Sequence, residues 1–139
     1  MSFRTIYLGK LIGLYCLFIA LAMISHKETT VETMTAVVHD VPVLFLTSLL
    51  AMVAGLAIIL AHNVWSGGAL PVVVTLVGWI SLIKGVIFFV LPPESSVAYF
   101  EALRYGQLFY AYMSIDLVLG VFLTLASFRS RGRTPEPTR

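Results

Sequence analysis

The chain has 139 residues, enough for one domain. It is 59% hydrophobic and 12% charged, whereas a soluble globular domain carries roughly 25% charged residues, so the composition predicts an integral membrane protein. The net charge of only +2 argues against nucleic-acid binding. The single cysteine, Cys16, excludes an intrachain disulfide and a multi-cysteine metal site.

Four apolar stretches follow one another, at 5–25, 41–61, 70–91 and 108–128. Since a helix rises about 1.5 Å per residue, each stretch covers the hydrocarbon core of roughly 30 Å. Helix is expected because the backbone must satisfy its own hydrogen bonds in lipid. We therefore predict an all-α fold, an antiparallel four-helix transmembrane bundle at 1–128. A basic, disordered tail at 129–139 is expected to follow it.

The first stretch leaves an alternative open. Arg4 and Lys10 precede an apolar run ending in Ala20-Leu21-Ala22, which resembles a signal-peptide cleavage site. The run is nevertheless long enough to span a membrane, and bulky Tyr15 makes a lipoprotein site at Cys16 a poor one. We favour an uncleaved first span, and cleavage would leave three spans.

The links between the spans differ in length. The outer links, 26–40 and 92–107, predict short helices on the membrane surface, and Ser95 or Ser96 is the candidate N-cap of the second. The first of these helices has one apolar face, formed by Val31, Met34 and Val38. The link 62–68 is short, so the second and third spans are expected to be antiparallel neighbours.

The positions of lysine and arginine predict the orientation. Arg4, Lys10 and four arginines of the tail lie on one side of the membrane. The other side has only Lys27 and Arg104, beside the acidic residues Glu28, Glu32, Asp40, Glu94 and Glu101. We therefore expect a multi-pass protein of the cell (inner) membrane with both termini in the cytoplasm.

Two charged residues lie inside the spans, Lys84 in the third and Asp116 in the fourth. Both lie at similar depth below the outer ends of their spans. A charge at a helix centre costs about 2.5–3.5 kcal/mol on the insertion scale, so this pair requires an explanation. One reading is a structural ion pair. A second is separate satisfaction, with Lys84 reaching outward and Asp116 protonated or bonded to Tyr112. The third is a functional role in a proton relay or polar cavity.

Tyr105 and Tyr112 share one helical face with Asp116 and Gly120. With Ser81 they form a candidate polar face. This face either lines a small polar pocket or faces the bundle with the tyrosine hydroxyls satisfied at the rim, and we prefer the second.

Small residues at helical spacing predict close helix packing. They are Gly9 and Gly13, Ala51 and Gly55, and Gly78 and Gly85. The pattern is compatible with contacts inside one chain and with contacts between subunits.

A haem held by two histidines needs both ligands at one depth on facing helices, and of the three histidines only the pair near the outer surface meets this condition. His26 and His39 form at best a minor candidate for a surface metal site, whereas His62 with Asn63 is expected to close the end of the second span. No catalytic residue, cofactor or metal is predicted, because the sequence has no nucleophile constellation, phosphate-binding glycine loop or redox cysteine pair.

Two elements of the sequence carry a resemblance. His62-Asn63-Val64-Trp65 ends the second span, and Gly78-Trp79-Ile80-Ser81-Leu82-Ile83-Lys84-Gly85 lies in the third. The chain resembles a group of small bacterial four-span integral membrane proteins of unassigned function that carry His-Asn-x-Trp and Gly-Trp-x-x-Leu-x-Lys-Gly elements. The resemblance implies a four-span bundle and draws attention to His62, Asn63, Trp65, Gly78, Trp79, Lys84 and Gly85.

These observations favour a non-enzymatic accessory, assembly or structural membrane protein that acts through helix–helix contacts. Its expected partners are membrane lipid and either further copies of itself or a larger membrane protein. The alternative is a small oligomeric transporter or channel that uses Lys84 and Asp116. A membrane enzyme or a quinone- or haem-binding subunit ranks third.

Overall fold

The computed structural model describes residues 2–130, so Met1 and residues 131–139, which include most of the predicted tail, lie outside the described part. Residues 2–130 form six helices and no strand. In chain order these are α1 (Phe3–Ser25), α2 (Lys27–His39), α3 (Val41–Ala61), α4 (Ala69–Val90), α5 (Pro93–Ala102) and α6 (Phe109–Arg129).

Four of these helices, α1, α3, α4 and α6, are long and apolar enough to cross a membrane. Their mean hydropathy ranges from 1.8 to 2.7. Their bounds lie within about two residues of the predicted spans, which confirms the all-α class and the four membrane-spanning candidates. By the length and composition of these four helices, the chain is a multi-pass membrane protein.

Local capping explains where two of the long helices begin. Ser2 precedes α1, and its hydroxyl accepts a hydrogen bond from the Thr5 N–H at 3.3 Å. Asp40 precedes α3, and its carboxylate accepts from the Val43 N–H at 3.1 Å, with Pro42 in the first turn. Each side chain satisfies one of the N–H groups that a helix leaves unpaired at its start.

The two outer links do contain helices, α2 and α5. In α2 the predicted apolar face lies inward, with Val38 buried and Val31 and Met34 half-buried. The predicted cap of α5 is wrong, because the helix begins at Pro93 and Ser96 is a buried residue inside it. Proline fits the first turn of a helix, which lets α5 start two residues before Ser95.

Helix α1 packs against α6 through small residues. A methyl group on Gly9 would collide with the Ser127 hydroxyl, and one on Gly13 would meet the Thr124 backbone nitrogen at 2.7 Å. One turn further along, Gly120 lies against the Leu17 backbone nitrogen, 2.9 Å from the position of an added methyl carbon. Along this contact the residue numbers rise on α1 and fall on α6, so the two helices are antiparallel. Their backbones lie close together.

Helices α3 and α4 form a second close pair. A methyl group on Gly85 would lie 2.6 Å from the Met52 backbone nitrogen, and one on Gly78 would lie 2.7 Å from a side-chain carbon of Ile58. Gly55 is equally close to the Leu82 backbone. The glycines singled out in the sequence are therefore used in contacts within this chain. Ala51 is half-buried, and buried Ser48 adds its backbone carbonyl to the contact with Gly85.

The two helix pairs meet in a small core. It contains buried side chains from α1, α4 and α6: Ile12, Cys16, Leu70, Val74 and Leu123. Leu70 and Val74 belong to the first turns of α4, so the core joins α4 to the other pair near the end where α4 begins. Helix α3 reaches this core mainly through α4.

Candidate functional site

Lys84 lies well inside the third spanning helix. It stands six residues before Val90, the last residue of α4, which places it about 9 Å from that end. Its side chain is exposed in the single chain. On the same helical face, one and two turns earlier, lie Ile80 and Leu76, with 55% and 41% of their surface exposed. Together with Ile83, these residues form what we call the α4 stripe: Leu76, Ile80, Ile83 and Lys84.

The α4 stripe borders the core-facing side of the helix. Val73 and Val77 pack against the central core, and Lys84 follows Val77 by seven residues, which is two helical turns. Lys84 therefore lies at the edge between the buried and the exposed sides of α4. A side chain at this edge is open to a neighbour that approaches from the membrane.

Asp116 lies in α6 at a matching depth. It stands seven residues after Phe109, the first residue of α6, or about 10 Å from that end. Its helical neighbours Met113 and Gly120 are buried, and its own side chain is half-buried. The carboxyl group lies beside the Cys16 thiol of α1.

Lys84 and Asp116 do not form an ion pair in the structure, since their charged atoms are not within 4.0 Å of each other. The end of α4 and the start of α6 are joined by residues 91–108, so the two charges lie on the same side of the helix pairs. They face neighbouring regions, with Asp116 against α1 and Lys84 at the outer edge of α4. Lys84 and Asp116 therefore lie at similar depth but do not form an ion pair with each other.

A cluster of aromatic side chains lies above Asp116. Tyr105 stacks on Tyr112, with ring centroids 5.7 Å apart, and packs edge-on against Phe109 at 6.0 Å. The Tyr112 hydroxyl donates to the Leu103 carbonyl at 3.0 Å, rather than to Asp116 as one sequence reading proposed. Burial, and next the negative charge of Asp116, raise the pKa of Tyr105 above its usual value.

The remaining member of the predicted polar face, Ser81, lies on α4 and is half-buried. Tyr105, Tyr112 and Asp116 come together around α6, while Ser81 belongs to the same helix as Lys84. The predicted polar face is therefore shared between two helices.

The link between α3 and α4 is tied to the first turns of α4. Buried His62 places its ring nitrogen Nε2 3.3 Å from the Pro71 carbonyl oxygen. The Thr75 hydroxyl, fully buried, accepts from the Val64 N–H at 3.0 Å and lies 3.0 Å from the carbonyl oxygens of Val64 and Pro71. The Trp65 indole N–H donates to the Asn63 side-chain oxygen at 2.8 Å. This arrangement is a folded turn in which polar groups satisfy one another.

Of the other residues to which the resemblance draws attention, some are packed against a neighbouring helix and some are exposed. Gly78 and Gly85 lie in the contact with α3. Trp79 lies on α4 with 37% of its surface exposed, and Trp65 is more exposed, at 56%. These positions do not converge on one cavity with His62 and Lys84.

The surface histidines have no metal-binding neighbourhood among residues 2–130. No group of three or more His, Cys, Asp or Glu side chains in that range has the placement that a metal ion requires. His39 uses its Nδ1–H to donate to the Thr35 carbonyl at 2.8 Å. It lines an open cleft of about 320 Å³ between α2 and the turn before α6, together with residues such as Glu101 and Arg104.

Sequence reasoning missed two contacts. The Thr75 hydroxyl accepts a hydrogen bond from the backbone N–H of Val64 in the α3–α4 link. A threonine inside an apolar run gives no signal of a partner eleven residues earlier. Cys16 lies against Asp116, which depends on how α1 packs against α6. Both contacts are long-range, and only helical spacing could have suggested which faces they occupy.

Comparison with protein-family models, with curated proteins and with solved structures finds no match to this chain. The resemblance carried by His62–Trp65 and Gly78–Gly85 therefore stays a prediction.

Proposed function

We propose that this chain is a non-enzymatic accessory or assembly protein of the cell membrane, which acts by binding another membrane-spanning chain through its helices. It would form an antiparallel four-helix bundle with both termini in the cytoplasm. The concentration of lysine and arginine near the two termini supports this orientation.

The observation that carries the proposal is the exposed position of Lys84. In a membrane, the α4 stripe would face lipid, where a lysine costs about 2.5–3.5 kcal/mol at the centre of a spanning helix and less toward the end near which Lys84 lies. Intramembrane charges usually face protein or a water-filled cavity and pair with one another. A second protein on the α4 stripe would remove Lys84 from lipid and supply a partner for its charge.

The use of the small residues supports the same proposal. In membranes, small residues let helices approach closely, and here the glycines of α1, α3, α4 and α6 make contacts inside the chain. The apolar stripe around Lys84 therefore provides a contact surface that the chain itself does not use.

The second candidate is a small oligomeric transporter or channel. The observation that favours it is the position of Asp116, half-buried beside Cys16 and the Tyr105–Tyr112 cluster. An acidic group in that setting could bind and release a proton or cation during transport.

The test is the mass of the assembly extracted from its native membrane in a mild detergent. A single chain has a mass of 15.3 kDa. We expect wild type to migrate as a larger assembly and Lys84→Met to migrate as the single chain. Lys10→Met is the matched control, because Lys10 is covered by the chain's own Phe128 ring, 4.3 Å away.

The control variant should keep the larger mass. A wild-type protein that is a single chain in these extracts would contradict the proposal, as would a Lys84→Met assembly of unchanged mass. Loss of an ion or solute flux in Lys84→Met or Asp116→Asn, without any change of mass, would favour the transporter.

A further inference from the structure

We propose that the chain on the α4 stripe is a second copy of this protein, and that Lys84 of each copy pairs with Asp116 of the other. This inference rests on the proposed function and names its partner. The resulting dimer would have a two-fold axis along the membrane normal.

The first argument is depth. Lys84 lies about 9 Å and Asp116 about 10 Å from ends of α4 and α6 that are on the same side of the chain. A two-fold axis along the membrane normal leaves the depth of every residue unchanged. It therefore brings Lys84 of one copy to the level of Asp116 of the other, and the same contact forms twice.

The second argument is charge. Each chain holds one positive and one negative residue at this depth, and the two do not pair within the chain. A symmetric dimer pairs both charges with no other protein. Any other partner would have to bring a carboxylate to the depth of Lys84, and it would leave Asp116 without a positively charged partner.

The third argument is shape. One face of α6 carries a shallow, open apolar groove of about 430 Å³, lined by Ser114, Ile115, Val118, Leu119 and Phe122. Ile115 directly precedes Asp116, and Leu119 lies one turn after it. Asp116 itself faces α1 from the edge of this groove and is half-buried, so an apolar helix face that docks in the groove brings a long side chain such as that of Lys84 within its reach. The α4 stripe is such a face, with Leu76, Ile80 and Ile83 as its apolar side chains.

Together these features define the contact. The α4 stripe of one copy would lie in the shallow α6 groove of the other, so that Lys84 reaches past the edge of the groove to Asp116. The apolar side chains would supply the packing, since desolvation offsets much of the attraction between two buried charges. The charges would set the register of the two helices.

The test uses two full-length copies with different tags, expressed together and purified through one tag. Two wild-type copies should co-purify. When both copies carry Lys84→Met, or both carry Asp116→Asn, we expect recovery of the second tag to fall by about tenfold. Mixing a Lys84→Met copy with an Asp116→Asn copy should restore much of it, because that dimer keeps one Lys84–Asp116 pair.

The mixing step separates a pair between copies from a pair within one chain. If the charges paired within a chain, each variant copy would lack its pair and mixing would restore nothing. Circular dichroism of each purified variant shows whether it is folded. Folded variants that co-purify as well as wild type would overturn the inference, as would folded variants that mixing does not rescue.

A disulfide test leaves both charges in place, so it does not depend on the folding of those variants. Ile80→Cys in one tagged copy and Val118→Cys in the other should form a disulfide-linked dimer on oxidation. Leu50→Cys, on the exposed face of α3, is the matched control for Ile80→Cys. No excess of the Ile80–Val118 dimer over the control would overturn the inference.

The outcome also separates this inference from the proposed function. If tagged wild-type copies do not co-purify, but Lys84→Met still lowers the mass of the native assembly, the partner is a different protein. The inference then fails and the proposed function stands. If the mass is also unchanged, both fail.

Discussion

Gly13 of α1 lies directly against Thr124 of α6, so close that a methyl carbon on Gly13 would be 2.7 Å from the Thr124 backbone nitrogen. That nitrogen belongs to the backbone of α6 and cannot rotate away. The contact fixes the distance between the two helices and holds Cys16 against Asp116, one turn further along α1.

Gly13→Ala should therefore destabilise the fold. Overpacking of this kind costs about 1–3 kcal/mol, because the two helices must move apart. The matched control is Gly106→Ala, where the nearest atom, a side-chain carbon of Val31, is 3.5 Å from the added methyl. Thermal unfolding in detergent, followed by circular dichroism, should show a clear loss for Gly13→Ala and little change for Gly106→Ala. Equal stability of the two variants would contradict the close α1–α6 contact.

Thr75→Val should loosen the α3–α4 link. The change removes the hydroxyl that accepts from the Val64 N–H and leaves buried polar groups unpaired, which costs about 1–3 kcal/mol. Thr75→Ser keeps the hydroxyl and should retain most of the stability. Denaturant unfolding of the two variants, with Trp65 fluorescence as a local probe, measures the difference. A valine variant as stable as the serine variant would show that the hydroxyl does not hold the link.

Within a single chain, Lys84 and Asp116 should not stabilise the fold as an ion pair. Their charged atoms are not within 4.0 Å, so the double variant of Lys84→Met and Asp116→Leu should show none of the recovery that removing both partners of a direct ion pair gives. The measurement is a double-mutant cycle in a detergent harsh enough to keep the protein monomeric. Recovery of stability in the double variant would instead reveal an ion pair within the chain.

The raised pKa of Tyr105 predicts that the fold loses stability at alkaline pH. Burial and Asp116 raise the pKa of its phenol above the usual 10.0, so the folded state keeps the proton longer than the unfolded state does. The unfolded state then binds fewer protons, and stability falls as pH rises through the unfolded pKa. Unfolding at about pH 9 and about pH 11 should show a smaller drop for Tyr105→Phe than for wild type. Tyr7→Phe, on an exposed part of α1, should keep the wild-type drop.

Much of the fold follows from hydrophobicity alone. Residues 41–61 read as a spanning helix because they form a long apolar run without a charged residue between Asp40 and His62, and α3 has the same bounds. The start of α5 was missed, because serine is a preferred N-cap residue and Ser95 and Ser96 were the candidates, whereas Pro93 is accommodated in the first helical turn.

The candidate site was less predictable. The sequence gives the depth of Lys84 and Asp116, because depth depends only on the rise per residue along a helix. Whether they touch depends on how α4 and α6 are rotated and how far apart they lie. Those quantities are set by glycine contacts such as Gly13 with Thr124 and Gly85 with Met52, which no local pattern in the sequence specifies.

The central claim is that protein, rather than lipid, covers the α4 stripe in the native membrane. The most direct test places a photo-crosslinking amino acid at Ile80 of the full-length chain and irradiates intact membranes. Leu50 on α3, which is 60% exposed compared with 55% for Ile80, is the matched control position. We predict a protein adduct from position 80, at twice the chain mass if the partner is a second copy, and a weaker one or none from position 50. Adducts with lipid alone at both positions would contradict the account.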